Sequence, residues 1–170
     1  NAATALGVEV QELAAPVDSV MFCLSKGLCS PVGSMLCGSR EFVARARRNR
    51  KILGGGLRQA GVLAACGLVS LREMTGRLGE DHENARLLAE ALAGIPGAVV
   101  DLDRVRTNMV WARLPLSEVR DAGFVSYLKE AGVLINGATA GLYRFVTHHD
   151  VGREDVLKAA ALIGDALQAG

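Results

Sequence analysis

Residues 19–28 read SVMFCLSKGL, an apolar run that ends in a lysine and is followed at once by a glycine. Packing alone rarely places a lysine such as Lys26 at the end of a buried strand, because its ammonium group is costly to desolvate. A desolvated lysine is also the side chain that forms Schiff bases with carbonyl compounds. The alternative is an ordinary surface lysine, and the position alone favours that alternative. The surrounding sequence has to decide between the two.

The composition predicts a globular protein that binds neither nucleic acid nor an anionic membrane. Of the 170 residues, 50% are hydrophobic and 22% are charged, and the formal net charge is +1. This balance argues against nucleic acid and anionic membranes as partners. No apolar stretch approaches the roughly 20 residues of a membrane-spanning helix, so we expect a cytoplasmic protein. The four cysteines lack a C-x-x-C pairing, which favours small buried thiols over a metal site.

Hydrophobic periodicity predicts both strands and helices in the first part of the chain. Two short apolar strands flank a loop, and we expect them to pair antiparallel with Lys26 on the loop. A helix follows and ends at the glycine triplet 54–56, because glycine readily adopts positive φ. The expected elements are strands at about 19–25 and 33–38, a helix that begins near 39, a buried, nearly all-apolar helix at 59–71 and an amphipathic helix at 80–92.

The sequence GIPG at residues 94–97 is the clearest domain-boundary signal. It divides the chain into a domain at 1–93 and a small α+β domain at 94–170, with helices on one face of a sheet. The elements expected in the second domain are strands near 99–102, 109–114, 133–136 and 142–146, and helices over 117–131 and 153–167.

The helix before the glycine triplet carries five basic residues between positions 45 and 51. Solvation of this face and binding of phosphate or carboxylate explain it equally well. The triplet is weak support for phosphate binding, because it matches neither G-x-G-x-x-G nor a Walker loop. No aromatic residues are interleaved with the basic ones, which argues against single-stranded nucleic acid.

Four separated blocks together resemble the low-specificity L-threonine aldolases. They are CLSKGL at 23–28, PVGS at 31–34, RKILGGGLRQAG at 50–61 and RFVTH at 144–148. The blocks occur in the family's order and at its approximate spacing over nearly the whole chain. The resemblance implies an α/β enzyme of fold type I, the aspartate aminotransferase type, that depends on pyridoxal 5'-phosphate. The chain would be its C-terminal portion, with part of the large cofactor-binding domain and the small α+β domain.

The resemblance assigns roles to individual residues. Lys26 matches the catalytic lysine that binds the cofactor as a Schiff base. Arg144 matches the arginine that binds the substrate carboxylate, and Arg58 matches an arginine that reaches the cofactor phosphate of a neighbouring subunit. Lys51 matches a lysine near the same pocket, and we assign it to substrate binding. His148 lies in a matching block, but we interpret it as structural.

The implied reaction is a retro-aldol cleavage of a β-hydroxy-α-amino acid. L-threonine or L-allo-threonine would give glycine and acetaldehyde, in a homotetramer whose subunits share active sites. The alternatives are a truncated, catalytically inactive fragment of this family and another enzyme of the same fold type.

The sequence departs from the family pattern in two ways. Cys29 and Ser30 stand where the family usually has glycine and a small residue. The family's N-terminal half is absent, and with it the phosphate-binding loop, the histidine that stacks on the cofactor ring and the aspartate that pairs with its nitrogen. We therefore expect activity only when the missing half completes the site.

Overall fold

The structure is a computed structural model that describes residues 1–168, with the side chains of residues 118 and 119 excepted. The chain divides into two compact units, Asn1–Leu78 and a second unit that begins at Gly79. Within the described residues, no helix combines the length and the apolar composition that crossing a membrane requires.

The first unit is a β-hairpin with helices before and after it. Its elements are α1 (Ala2–Leu6), α2 (Val10–Ala14), β1 (Ser19–Cys23), β2 (Ser34–Gly38), α3 (Arg40–Ile52), α4 (Gly61–Val69), a π-helical turn (Ser70–Met74) and a 3₁₀ turn (Thr75–Arg77). β1 and β2 pair antiparallel, as the sequence predicts, with Cys23 opposite Ser34. α3 begins after Ser39, whose hydroxyl accepts a hydrogen bond of 3.2 Å from the Phe42 N–H and caps the helix.

α4 differs from the long buried helix that the sequence predicts. It begins at Gly61, because Gln59 has a left-handed φ of 49°, and it passes directly into the π-helical turn. Much of its surface is open, and Val62 is 75% exposed. A helix that is apolar all round becomes buried only where neighbouring elements cover each side. Among the residues described in α4, Gly67 is the buried one, so the hairpin covers one side of this helix.

The second unit is a three-stranded antiparallel sheet with helices. Its elements are α5 (Leu78–Ala93), β3 (Val99–Val100), a 3₁₀ turn (Leu102–Arg104), β4 (Met109–Arg113), α6 (Glu118–Glu130), β5 (Tyr143–Val146) and α7 (Arg153–Gln168). The strand order is β3-β4-β5. The registers place Val99 opposite Arg113 and Trp111 opposite Arg144.

Segment 133–136, which the sequence predicts as a strand, does not form one. Val133 N–H donates to the Leu128 carbonyl over 2.7 Å, and Ala138 N–H donates to the Asp121 carboxylate over 3.2 Å. A strand needs a neighbouring strand for its backbone groups, and here α6 accepts these bonds instead. Val133 and Ile135 pack on the core without joining the sheet, whereas Leu134 is 79% exposed.

Alternation along the strands decides which face of the sheet is buried. Val110, Ala112 and Phe145 are at most 5% exposed and belong to one core cluster with residues of α5, α6 and α7. The alternate residues Met109 and Trp111 lie on the other face, where Trp111 is 48% exposed. Because successive side chains of a strand point to opposite faces, the helices cover one face and leave the other open.

α5 packs in the core of the second unit through Ala85, Ala89 and Leu92. The division between the units therefore lies before this helix, at Leu78 and Gly79, whereas the sequence places a domain boundary after it. The domain limits of 1–93 and 94–170 stay a prediction for the protein as a whole.

Candidate active site

Lys26 lies at the tip of the hairpin, on the loop between β1 and β2. Its carbonyl accepts a hydrogen bond of 2.8 Å from the Cys29 N–H. The Leu24 carbonyl accepts one of 3.0 Å from the Ser30 N–H, and the Leu24 N–H donates to the Gly33 carbonyl over 2.9 Å. These backbone bonds fold residues 24–33 into a tight loop, which agrees with the position expected for Lys26.

The loop is anchored to the helices of the first unit. Leu24 is 7% exposed, and its Cδ1 lies 3.1 Å from where a Cβ on Gly67 would stand. The glycine therefore lets α4 approach the loop closely. The hydroxyls of Ser30 and Ser70 are 2.8 Å apart, and both residues are buried. These contacts hold the backbone around Lys26 in one place.

The two residues that depart from the family pattern have structural roles in the loop. The Ser30 hydroxyl is engaged by Ser70, so it serves as an internal anchor. Cys29 is exposed and has a left-handed φ of 56°, and its Sγ donates to the Gly27 carbonyl over 3.8 Å. Cys29 thus occupies a turn position that favours glycine.

The amine of Lys26 is exposed, so the desolvation that the sequence predicts is not found in this chain. The tip of a hairpin has packing neighbours on one side only, which leaves the amine accessible. Its Nζ donates to Cys23 Sγ over 3.6 Å, and Ser34 Oγ donates to the same sulfur over 3.7 Å. An accessible amine on a fixed loop can react with a carbonyl compound.

Lys51 lies against the glycine triplet. A Cβ on Gly56 would stand 2.5 Å from Lys51 Cδ and 3.0 Å from its Nζ, and a Cβ on Gly55 would stand 2.8 Å from Arg50 Cγ. The triplet therefore makes room for the two basic side chains at the end of α3. Gly54 has a φ of 84°, which ends the helix there.

Arg58 follows the triplet and is exposed. Lys51 and Arg58 thus stand on either side of the three glycines, in a cationic segment that suits an anion such as phosphate. Among the contacts found within residues 1–168, none joins Lys26 to Lys51 or Arg58. The role of each in one site stays a prediction.

Arg144 lies in the second unit, on the open face of the sheet. Its guanidinium carbon stands 5.9 Å from the centroid of the Trp111 ring, within the range of a cation–π contact. The two residues are opposite each other in the β4–β5 register. A cavity of about 600 Å³ is lined in part by Arg144, Asn136 and His148.

Asp121 fixes the backbone just before Arg144. Its carboxylate accepts hydrogen bonds from the Tyr143 hydroxyl and from the Ala138 N–H. Tyr143 is 2% exposed, and burial together with the Asp121 carboxylate raises the pKa of Tyr143 well above its usual value. The start of β5 is therefore tied to α6 by a hydrogen bond between the buried Tyr143 and the half-buried Asp121.

His148 caps a turn, in line with its structural interpretation. Its Nδ1 accepts a hydrogen bond of 3.3 Å from the Asp150 N–H, and its carbonyl accepts one of 2.9 Å from the Val151 N–H.

Sequence reasoning missed several residues that support the expected site residues. Trp111 could have been noticed as the single tryptophan of the chain, placed in a strand at an alternate position. The other partners come from distant parts of the sequence, and no local pattern joins them. They are Ser70 for the Lys26 loop and Asp121 for the strand of Arg144.

The family of the chain follows from comparison with known proteins. The model of the beta-eliminating lyase family matches residues 1–115, and the chain belongs to this family. It is 45% identical over 161 residues to the low specificity L-threonine aldolase of Escherichia coli O157:H7, covering 95% of this chain and 46% of that protein. The chain thus spans about half the length of the curated relatives it matches. The resemblance drawn from the four blocks is confirmed.

Solved structures show the same fold. A protein of Listeria monocytogenes EGD-E that is provisionally named an L-allo-threonine aldolase superposes with a TM-score of 0.80 at 22% identity, covering 98% of this chain and 48% of that one. A structure of SPT with a PLP internal aldimine gives a TM-score of 0.74 at 19% identity, with coverages of 95% and 42%. These neighbours confirm the fold-type I class.

Membership of the beta-eliminating lyase family implies pyridoxal phosphate as the cofactor. The residues present fit its chemical groups. The exposed amine of Lys26 suits the cofactor's aldehyde, and the cationic segment around the glycine triplet suits its phosphate.

Proposed function

We propose that this chain supplies part of the active site of an L-threonine aldolase, which cleaves L-threonine or L-allo-threonine to glycine and acetaldehyde. The observation that carries the proposal is the position of Lys26, on an anchored hairpin loop within the block CLSKGL. The 45% identity to a low specificity L-threonine aldolase supports the same substrate class.

Lys26 is the residue that would hold the cofactor, through a covalent bond from its amine. The anchored loop fixes where this bond can form, and the contact with Cys23 Sγ orients the amine. When bound, pyridoxal phosphate supplies an electron-poor ring that takes up the electrons released at the substrate α-carbon. Binding and orienting the substrate are left to the protein's side chains.

Arg144 is the residue that would bind the substrate carboxylate. A guanidinium presents two parallel N–H groups to the two oxygens of a carboxylate, so it fixes direction as well as position. Holding the carboxylate also decides which bond of the α-carbon is presented for cleavage.

Lys51 and Arg58 would supply further positive charge to the active site, where the cofactor phosphate and the substrate are negatively charged. We assign Arg58 to the cofactor phosphate of a neighbouring subunit and Lys51 to the substrate side of the same pocket. The contact of Lys51 with Gly56 supports a defined position for its amine.

The working enzyme would be a cytoplasmic homotetramer that also contains the N-terminal half of the family's fold. The open apolar surface of α4 supports this, because exposed apolar side chains such as Val62 favour a covering partner. By itself the chain would be a poor aldolase, and an inactive fragment is the alternative.

Borohydride trapping tests the role of Lys26. The protein is mixed with pyridoxal phosphate, reduced, digested and mapped by mass spectrometry, alone and after co-expression with the N-terminal half of a relative. Threonine cleavage is followed in parallel by acetaldehyde release. We expect the label on Lys26 in both samples and turnover in the completed protein.

Two variants make the test specific. Lys26→Ala should remove both label and turnover, whereas Lys129→Ala, which changes another exposed lysine, should leave both unchanged. Label on Lys26 without acetaldehyde would favour another enzyme of this fold type. Label distributed over surface lysines would contradict the proposal.

A further inference from the structure

Trp111 is placed to act on the Arg144 side chain. The two residues are opposite each other on adjacent strands, on the face of the sheet that the helices leave open. The guanidinium carbon lies 5.9 Å from the ring centroid. Side chains that face each other across a strand pair interact directly, so this contact is built into the register.

Within the residues that the structure describes, the Arg144 side chain forms no ion pair. Neither Arg144 nor Arg113, two residues beyond Trp111 on the same strand, forms an ion pair with a residue of the described chain. An unpaired arginine side chain loses considerable conformational entropy when a ligand immobilises it. A group that restricts it beforehand therefore improves binding.

The ring of Trp111 meets that need without competing for the ligand. Aromatic contact engages the face of a guanidinium, whereas a carboxylate binds to the N–H groups at its edge. The backbone is already fixed, because Asp121 bonds both Tyr143 and Ala138. What remains to be ordered is the Arg144 side chain itself.

We propose that Trp111 is a positioning residue that holds the Arg144 guanidinium ready for a carboxylate ligand. This inference rests on the proposed role of Arg144 in binding the substrate carboxylate. It adds a second determinant of substrate affinity, on β4, to the arginine on β5.

Calorimetric titration of the completed enzyme, co-expressed with the N-terminal half of a relative, with glycine, the carboxylate-bearing product, tests the inference. Trp111→Leu should raise the Kd for glycine about 3- to 10-fold, in the range of a partly desolvated cation–π contact. Trp111→Phe should recover part of the affinity, because it keeps an aromatic face. Tyr127→Leu is the matched control, since it removes an aromatic side chain of similar exposure from α6 (43% against 48%). Circular dichroism of each variant checks that it is folded.

A spectroscopic readout separates positioning from mere structural support. Trp111 is the single tryptophan, so the protein's tryptophan emission reports on the surroundings of Arg144. Glycine should change this emission, and glycinamide, which lacks the carboxylate, should not. Arg144→Gln should abolish the change. In the completed enzyme, Trp111→Leu should raise the KM for threonine and alter kcat less than about twofold, as expected for lost ground-state binding.

The outcomes distinguish the two proposals. If Arg144→Gln loses glycine but folded Trp111→Leu keeps wild-type affinity, the inference about Trp111 is overturned and the role of Arg144 stands. If glycine binds with the expected dependence on Trp111 but threonine is not cleaved, the inference stands and the aldolase function is wrong. If Arg144→Gln binds glycine normally, or the completed wild-type enzyme does not bind it, the inference about Trp111 and the carboxylate-binding role of Arg144 are both overturned, whereas the proposal for Lys26 is still tested by borohydride trapping.

Discussion

Ser30 and Ser70 share a hydrogen bond of 2.8 Å between two buried hydroxyls. The bond joins the Lys26 loop to the first residue of the π-helical turn after α4. Turns of this kind are frequent at functional sites, and here the turn presents Ser70 to the loop. The position of the proposed catalytic lysine therefore depends on a contact between residues 40 positions apart in sequence.

Removing both hydroxyls of this pair should cost less than the sum of removing each one alone. Ser70→Ala leaves the Ser30 hydroxyl buried without its partner, which lowers the free energy of unfolding by about 1–3 kcal/mol. The double variant Ser30→Ala/Ser70→Ala should lose less than the sum of the single variants, because no unpaired hydroxyl remains. Urea unfolding measures the cycle, with Ser25→Ala as an exposed control. Strictly additive losses would show that the hydroxyls do not interact.

Cys29→Gly should stabilise the loop. A non-glycine residue with a φ of 56° carries conformational strain, and glycine removes it at some cost in unfolded-state entropy. We expect the free energy of unfolding to rise by about 0.5–1 kcal/mol. Cys29→Ala is the matched control, since it removes the thiol and keeps the strain. Equal stabilities of the two variants would contradict this account.

Gly56→Ala should move Lys51 without unfolding the protein. The new Cβ would stand 2.5 Å from Lys51 Cδ, and a flexible side chain can move away. In the completed enzyme the KM for threonine should rise about tenfold, as for one lost bond to a charged group worth roughly 1.5 kcal/mol. Gly61→Ala has nothing within 4 Å of the added Cβ and should leave KM unchanged. An unchanged KM in Gly56→Ala would contradict the assignment of Lys51 to substrate binding.

The Tyr143–Asp121 pair predicts a loss of stability at high pH. Burial and the Asp121 carboxylate raise the pKa of Tyr143 above its ordinary value of 10.0. The folded state keeps the phenol neutral where the unfolded state ionises it. The neutral Tyr143 phenol therefore makes its full contribution to the free energy of unfolding below about pH 10, and this contribution is lost as the pH rises above that value.

Comparison with Tyr143→Phe isolates this contribution. The free energy of unfolding of the wild type should fall more steeply above about pH 10 than that of the variant, since the variant has no phenol to ionise. The phenolate absorbance assigned to Tyr143, taken as wild type minus variant, should appear only at higher pH or on unfolding. Parallel stability curves for the two proteins would count against a raised pKa of Tyr143 in the folded state.

The local elements were largely predictable because their signals are local. The alternation at 109–114 and 142–146 predicted two strands whose buried and open faces the structure confirms. Ser39 and the glycine triplet fixed the limits of α3 through capping and positive φ. The prediction of a strand at 133–136 was wrong. An apolar pattern indicates that one side of a segment is buried, but it does not show whether a neighbouring strand is present to pair with it.

The candidate site residues could be named from the sequence, but their burial and their contacts could not. Block by block, the sequence determined Lys26, Lys51, Arg58 and Arg144 as candidates, together with the family and its cofactor. Tertiary structure alone decided that the Lys26 amine is exposed and that Ser70 anchors its loop. It also decided that Trp111 faces the Arg144 guanidinium. The physical reason is that a motif records which chemical group is needed, whereas burial and pairing depend on which distant residues the fold brings into contact.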